Sequence, residues 1–239
     1  AEASFSNLKI SGRIQAKYNY AGMLCGYASE SIQCDRIETS GTIQGTNAIG
    51  GMCGGAKQYK TVSITNSINR VSIEGVKWLG GFFGGMENYS GSCTIINSLN
   101  YGNVTGSERI GGFIGKCGDA KLTNCVNHSN VKSGYGILAS ASAGYNTYYC
   151  WANNCFWLNN VVDNTGTENG FGISKFEEKN NCEYFIPNSG NCILPNLEEK
   201  DLIEILNEWV NFNGVDTYRR WTYKKDENGK AYPVLEEVQ

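Results

Sequence analysis

The segments Gly50-Gly51-Met52-Cys53, Gly80-Gly81-Phe82-Phe83 and Gly111-Gly112-Phe113-Ile114 repeat one pattern, two glycines followed by two apolar residues. Ala21-Gly22-Met23-Leu24 before them and the weaker Tyr135-Gly136-Ile137-Leu138 after them extend it to five copies. The central glycines, Gly22, Gly51, Gly81, Gly112 and Gly136, are 29, 30, 31 and 24 residues apart. A small residue always follows the apolar pair: Cys25, Gly54, Gly84, Gly115 or Ala139. Self-similarity at a period near 30 residues marks an array of stacked units.

Each copy is preceded by a second element with strand-like alternation: Gly12-Arg13-Ile14-Gln15-Ala16, Gly41-Thr42-Ile43-Gln44-Gly45, Val71-Ser72-Ile73-Glu74-Gly75, Gly102-Asn103-Val104-Thr105-Gly106 and Ser129-Asn130-Val131-Lys132-Ser133. Seven residues before each element stands a core-sized apolar residue: Phe5, Cys34, Ile64, Ile95 or Leu122. Five residues before it stands Asn7, Asn66, Asn97 or Asn124, with Arg36 breaking the column in the second copy. A unit of two or three short strands cannot bury its own apolar face and must stack on its neighbours. The pattern therefore predicts a mainly β chain, a right-handed parallel β-helix (β-solenoid) of five to six coils. In such a coil the paired glycines allow close backbone approach and positive φ at corners, and the Asn column bonds side chain to side chain along the axis.

Of the 30 glycines, 24 precede residue 158, whereas Pro187, Pro195 and Pro233 all follow it. Charge divides at the same place. Residues 1–157 carry 12 basic and 8 acidic side chains, and the remainder 8 and 15, within a total of −3. The reading is a repeat domain over 1–157 and a capping region over 158–239. Asn196-Leu197-Glu198-Glu199 resembles a capping box ahead of Leu202, Ile205, Leu206 and Trp209 at helical spacing, which predicts an amphipathic helix over about 197–212. Trp221-Thr222-Tyr223 and Tyr232-Pro233-Val234-Leu235 predict a terminal hairpin around Asp226-Glu227-Asn228-Gly229. This α+β region is expected to cover strand edges that a bare array would leave open.

No apolar run approaches the roughly 20 residues of a membrane-spanning helix. Lysines and arginines form no basic stripe, which argues against nucleic acid as a partner. Ten cysteines are even in number but contain no Cys-x-x-Cys, and there is one histidine, so neither a zinc site nor any other metal or cofactor is expected. Most of the thiols read as small core fillers. Cys182 and Cys192, in a polar stretch, are the candidate disulfide. Cys25 and Cys53 fall at adjacent positions of neighbouring copies, where side chains face opposite ways. His128, in Asn127-His128-Ser129, reads as a surface residue, and no nucleophile motif accompanies it.

Parallel β-helices also serve as polysaccharide lyases and glycosidases, whose chemistry needs paired carboxylates. Glu38 and Glu74 are the one pair that the repeat length brings near stacking, so no catalytic residue is assigned. An ice-binding face would need a threonine ladder, which Thr42 and Thr105 do not continue. Aromatic side chains are numerous; Tyr18, Tyr20, Trp78, Tyr89 and Tyr101 are the candidate ligand-binding residues, the alternative being that such rings pack at corners or under the cap.

Gly51-Met52-Cys53-Gly54, Gly81-Phe82-Phe83-Gly84 and Gly112-Phe113-Ile114-Gly115 resemble the GLUG-motif repeats of bacterial secreted and surface proteins, with Met or Phe replacing the leucine. The resemblance covers residues 5 to about 157, and Gly229-Lys230-Ala231-Tyr232-Pro233-Val234-Leu235 looks like the segment that closes such arrays. It implies extracellular or cell-surface display, as a monomer or as one domain of a larger surface protein. Some family members join these repeats to an immunoglobulin A metallopeptidase, whose zinc motif this chain lacks. The expected function is an adhesion, ligand-binding or display module for a glycan or surface protein. The alternatives are a carbohydrate-active β-helix enzyme and a structural stalk.

Overall fold

The structure is a computed structural model and describes residues 2–86, 91–141, 150–158, 171 and 178–237. Strands Ala3–Gln15, Ile32–Gln44, Lys60–Thr65, Gly91–Ile96, Asp119–Asn127, Cys150–Leu158 and Glu178–Pro187 stack in that order, each parallel to the last. The predicted apolar column is a true row of the stack: Phe5, Cys34, Ile64, Ile95 and Leu122 lie opposite one another, and Ala152 continues it. Two shorter parallel sheets complete the coil. One contains Asn47–Gly50, Lys77–Gly80 and Glu108–Gly111. The other contains Cys25–Ala28, Cys53–Ala56, Phe83–Met86, Ile114–Cys117 and Leu138–Ala141. The chain is thus a mainly β solenoid of about five turns. Among the described residues no helix is long and apolar enough to cross a membrane.

The apolar pair of each repeat fills the interior. Met52, Phe82, Phe83 and Phe113 are fully buried, and Phe82 stacks on Phe113 with centroids 4.9 Å apart and planes 8° from parallel. The paired glycines make that packing possible by close approach: a Cβ on Gly81 would stand 2.1 Å from the Gly112 carbonyl oxygen and 2.6 Å from Asn100 Nδ2. Gly51 and Gly112 meet the next coil in the same way, and Gly136 meets the Trp157 ring. Positive φ, expected at these glycines, is found instead in the Asn column. Asn7, Arg36, Asn66, Asn97, Asn124, Asn154 and Asn181 all have φ between 47° and 55°. Asn tolerates this left-handed region because its short amide bonds locally.

The column is a hydrogen-bonded ladder. Asn97 Nδ2 donates to Asn66 Oδ1 at 2.8 Å, Asn124 Nδ2 to Asn97 Oδ1 at 2.8 Å, and Asn181 Nδ2 to Asn154 Oδ1 at 3.0 Å. Where Arg36 interrupts the column, the neighbouring Asp35 takes over and accepts from Asn66 Nδ2 at 2.9 Å. A second, wholly buried ladder runs through Thr39, Asn69, Asn100 and Asn127, with links of 2.9, 2.7 and 2.9 Å. It ends where Trp157 occupies the next row, leaving Asn127 Nδ2 without a partner among the described residues.

The C-terminal region differs from expectation in three ways. The parallel sheet runs past the compositional boundary at 157, because Glu178–Pro187 adds a further rung on Cys150–Leu158. The helix spans Leu202–Asn213, starting five residues later than predicted. Asp201, not Asn196, is the N-cap: its side chain accepts from the backbone N–H of Ile203 at 2.8 Å and of Glu204 at 3.2 Å. Glu198 and Glu199 lie in the left-handed region (φ 54° and 57°) within a turn that precedes the helix. At the other end Gly214, φ 131°, donates to the Val210 carbonyl, and the helix ends at Asn213, one residue past the predicted 212. The hairpin forms as read, pairing Trp221–Lys225 with Ala231–Leu235.

Thirdly, the cap lies along the flank of the stack. Ile68, Leu99, Val126 and Phe156, one residue per coil, form a single buried cluster with Leu202, Leu206, Val210, Trp221 and Leu235. The Asn ladder is the polar seam beside this cluster. Asn66 Nδ2 donates to the Thr217 carbonyl, Asn97 Nδ2 to that of Arg219 and Asn124 Nδ2 to that of Leu206, at 2.9, 2.8 and 3.2 Å. Burying each large apolar side chain contributes roughly 1.5–3 kcal/mol, and the seam satisfies backbone carbonyls that the docking removes from water.

Candidate functional site

Tyr20, Ala48, Trp78 and Arg109 occupy one corner position on successive coils, all with left-handed backbone (φ 68°, 54°, 57° and 58°). Beside that corner runs a row of the five-stranded sheet, Tyr27, Gly55, Gly85 and Lys116. Gly55 seats the Tyr20 ring. A Cβ on Gly55 would stand 2.3 Å from the Tyr20 ring, and one on Gly85 would meet the Trp78 Cβ at 3.4 Å. Tyr20 also contacts Tyr27, centroid to centroid 4.8 Å. Lys116 Nζ stands 3.9 Å from the Trp78 ring centroid and Lys77 Nζ 5.0 Å, within cation–π range. Tyr20 and Tyr27 thus meet at the first coil, and half-buried Trp78 continues the aromatic ridge two coils on, with Lys77, Arg109 and the buried Lys116 alongside. Tyr18, two residues before Tyr20, is 74% exposed.

Two of the predicted ligand-binding residues, Tyr20 and Trp78, are thus brought onto one surface with Tyr18 at its N-terminal end, and Tyr27 joins them. The signal for Tyr27 is its register opposite Gly55, which only the coil alignment reveals. Tyr89 lies outside the described residues. Tyr101 is corrected: it is held under the cap, not offered to a ligand. Its hydroxyl donates to the Pro233 carbonyl, the Arg70 guanidinium lies 4.3 Å from its ring centroid, and burial pushes its ionisation well above the usual tyrosine range. His128 is corrected likewise. Its ring lies 5.6–5.9 Å from those of Tyr101, Phe185 and Tyr232, and burial lowers its pKa. Sequence reading missed both placements because the hairpin that covers them is between about 100 and 130 residues away in the chain.

A second concavity lies where the first coils meet the cap, lined by Asn7, Lys9, Arg36, Glu38, Arg219 and Glu237. Its charges are mutually engaged. Glu38 stands 3.6 Å from both Lys9 Nζ and Arg219 Nη2, and Arg36 pairs with Asp35. Arg219 is buried, its pKa lowered by desolvation, and its guanidinium donates to the carbonyls of Asn66, Leu235 and Glu236, so it fastens the cap. Glu38 and Glu74 do not stack: Glu38 faces Ile68, whereas Glu74 faces Gln44, six positions further along the strand. At about 3.3 Å per residue that separates the carboxylates by far more than the spacing a glycosidase pair requires.

The ten cysteines are free thiols. Cys182 belongs to the solenoid, opposite Cys155 and Cys125 in one row, and Cys192 to the cap cluster, its thiol donating to the Ala231 carbonyl. The two lie in different cores, so the expected Cys182–Cys192 link is not formed. Among the described residues no group of three or more His, Cys, Asp or Glu side chains is placed to hold a metal ion. Comparison with protein-family models, with curated proteins and with solved structures finds no match.

Proposed function

We propose that this chain is a secreted or cell-surface module that binds a glycan or a surface protein through the ridge of Tyr20, Tyr27 and Trp78, without catalysing a reaction. The observation that carries the reading is the seating of the Tyr20 ring over Gly55 beside Tyr27, with Trp78 at the same corner position two coils on. Rings fixed on a rigid stack lose little entropy on binding, and their faces suit sugar rings or apolar protein anchors. The GLUG-like repeat pattern supports the same role, as does the even rise of the coils, which presents the ridge as a row. The module acts as a monomer or as one domain of a larger surface protein.

A glycan and extracellular-matrix array tests this, with released products assayed on every glycan retained. The expected outcome is retention without products, weakened about thirtyfold by Trp78→Ala, as an aromatic anchor worth roughly 2 kcal/mol demands. Product release would favour a carbohydrate-active enzyme, and silence on both a structural stalk.

A further inference from the structure

Cys25 and Cys53 lie directly opposite each other in adjacent parallel strands. Adjacent strands are about 4.8 Å apart, inside the range of Cα separations that a disulfide bridges. The expectation that these residues face opposite ways fails because their copies are offset by 28 residues, not by the full repeat. The Cys53 thiol donates to the Gly55 carbonyl at 3.3 Å. Cys25 is half-buried at the first coil, whereas Cys53 is fully buried. The next residue in the row is Phe83, so the pair has no third thiol in line. Within its row it is a pair alone, unlike Cys125, Cys155 and Cys182, where the central thiol has two neighbours, while Cys34 and Cys93 belong to the same core.

We propose that Cys25 and Cys53 form an oxidisable pair, a modification site that converts to a disulfide under a hydroperoxide and staples the first coil to the second. The Cys25 thiolate attacks one peroxide oxygen, forming a sulfenic acid and releasing hydroxide, which takes up the thiol proton to give water. The Cys53 sulfur then attacks the Cys25 sulfur, the S–S bond forms, and the hydroxyl leaves with the Cys53 proton as a second water. Two thiols lose two electrons and the peroxide is reduced to two waters. The environment favours this order. The adjacent Cys53 side chain lowers the Cys25 pKa to about 7, so that a large share is thiolate at neutral pH. Contact with Cys25 and burial both raise that of Cys53, which keeps it protonated until Cys25 has reacted. Burial pushes Cys34, Cys150 and Cys192 up to about 12, whereas Cys182 is lowered by its contact with Cys155.

The test is brief treatment of the folded chain with hydrogen peroxide, followed by denaturing alkylation and mapping of peptides by mass spectrometry. The expected result is a peptide linking Cys25 to Cys53, with a mass lower by two hydrogen atoms than the two reduced peptides, and a higher thermal midpoint. In Cys53→Ala, Cys25 should stop at the sulfenic acid, trapped by a dimedone-type reagent. In Cys25→Ser, Cys53 should remain reduced. Circular dichroism before treatment confirms that both variants are folded. Linkage of Cys25 to Cys34, oxidation of Cys25 in the native sequence without linkage, or no loss of the Cys25 thiol would each overturn the proposal.

Discussion

The indole of Trp221 donates its Nε1–H to the side-chain oxygen of Asn97 at 2.7 Å, joining the cap hairpin to the middle of the asparagine ladder. One buried amide thus serves the stack and the cap together. Asn97 also donates to Asn66 and to the Arg219 carbonyl, and it accepts from Asn124.

Asn97→Ala should lower stability by about 2–4 kcal/mol, since several buried partners lose their hydrogen bonds and Ala is strained at φ 48°. Asn97→Gly relieves the backbone strain but not the lost bonds, so it should fall between Ala and the native residue. Urea denaturation of the three proteins gives this order directly.

Gly81→Ala should prevent folding or leave the chain severely destabilised, because the new methyl group would stand 2.1 Å from a backbone oxygen that cannot move without shifting the next coil. Gly12→Ala should be nearly neutral, as nothing lies within 4 Å of that Cβ. Soluble yield and thermal midpoint of the pair check the contrast.

Burial depresses the pKa of His128 in the folded chain. The unfolded chain then binds the proton more readily, so this group's contribution is complete above about pH 6.5 and is lost as pH falls through the folded value. Stability measured across this window should show a slope that His128→Phe removes.

Glu183 behaves in the opposite sense. It is buried beside the cap, Oε1 has no partner, Oε2 accepts from the Asn196 N–H, and desolvation raises its pKa. The folded chain here holds the proton more tightly, so stability falls as pH rises from the unfolded carboxyl value through the folded one. Glu183→Gln should raise the urea midpoint at pH 7 and lose that advantage near pH 4.

The stack was legible because its signals are local and periodic: the Gly-Gly-apolar pattern, the Asn column and the apolar row of Phe5, Cys34, Ile64, Ile95 and Leu122 each recur once per coil. The second ladder was not read, although Asn66-x-x-Asn69, Asn97-x-x-Asn100 and Asn124-x-x-Asn127 carry it, because its first member is Thr39 and its row ends at Trp157. What depended on the cap was hidden. Ile68, Leu99, Val126 and Phe156 face outward from the stack into the cap cluster, and nothing near Tyr101 or His128 in sequence announces the hairpin that covers them. The helix start was misplaced because two adjacent signals compete, and Asp201, directly before the apolar stripe, supplies the cap. At the ridge, Tyr20 and Trp78 stood out by residue type, whereas the Gly55 seat beneath Tyr20 emerges only from register.

The most direct measurement is the affinity, for whichever glycan or matrix protein the array retains, of the native chain, Tyr27→Ala, Trp78→Ala and Phe212→Ala, the last altering a side chain 90% exposed on the cap helix. The account predicts that both ridge variants lose affinity about tenfold or more while keeping the native circular dichroism spectrum, and that Phe212→Ala binds like the native chain. Undiminished affinity in the folded Tyr27→Ala and Trp78→Ala variants would contradict it.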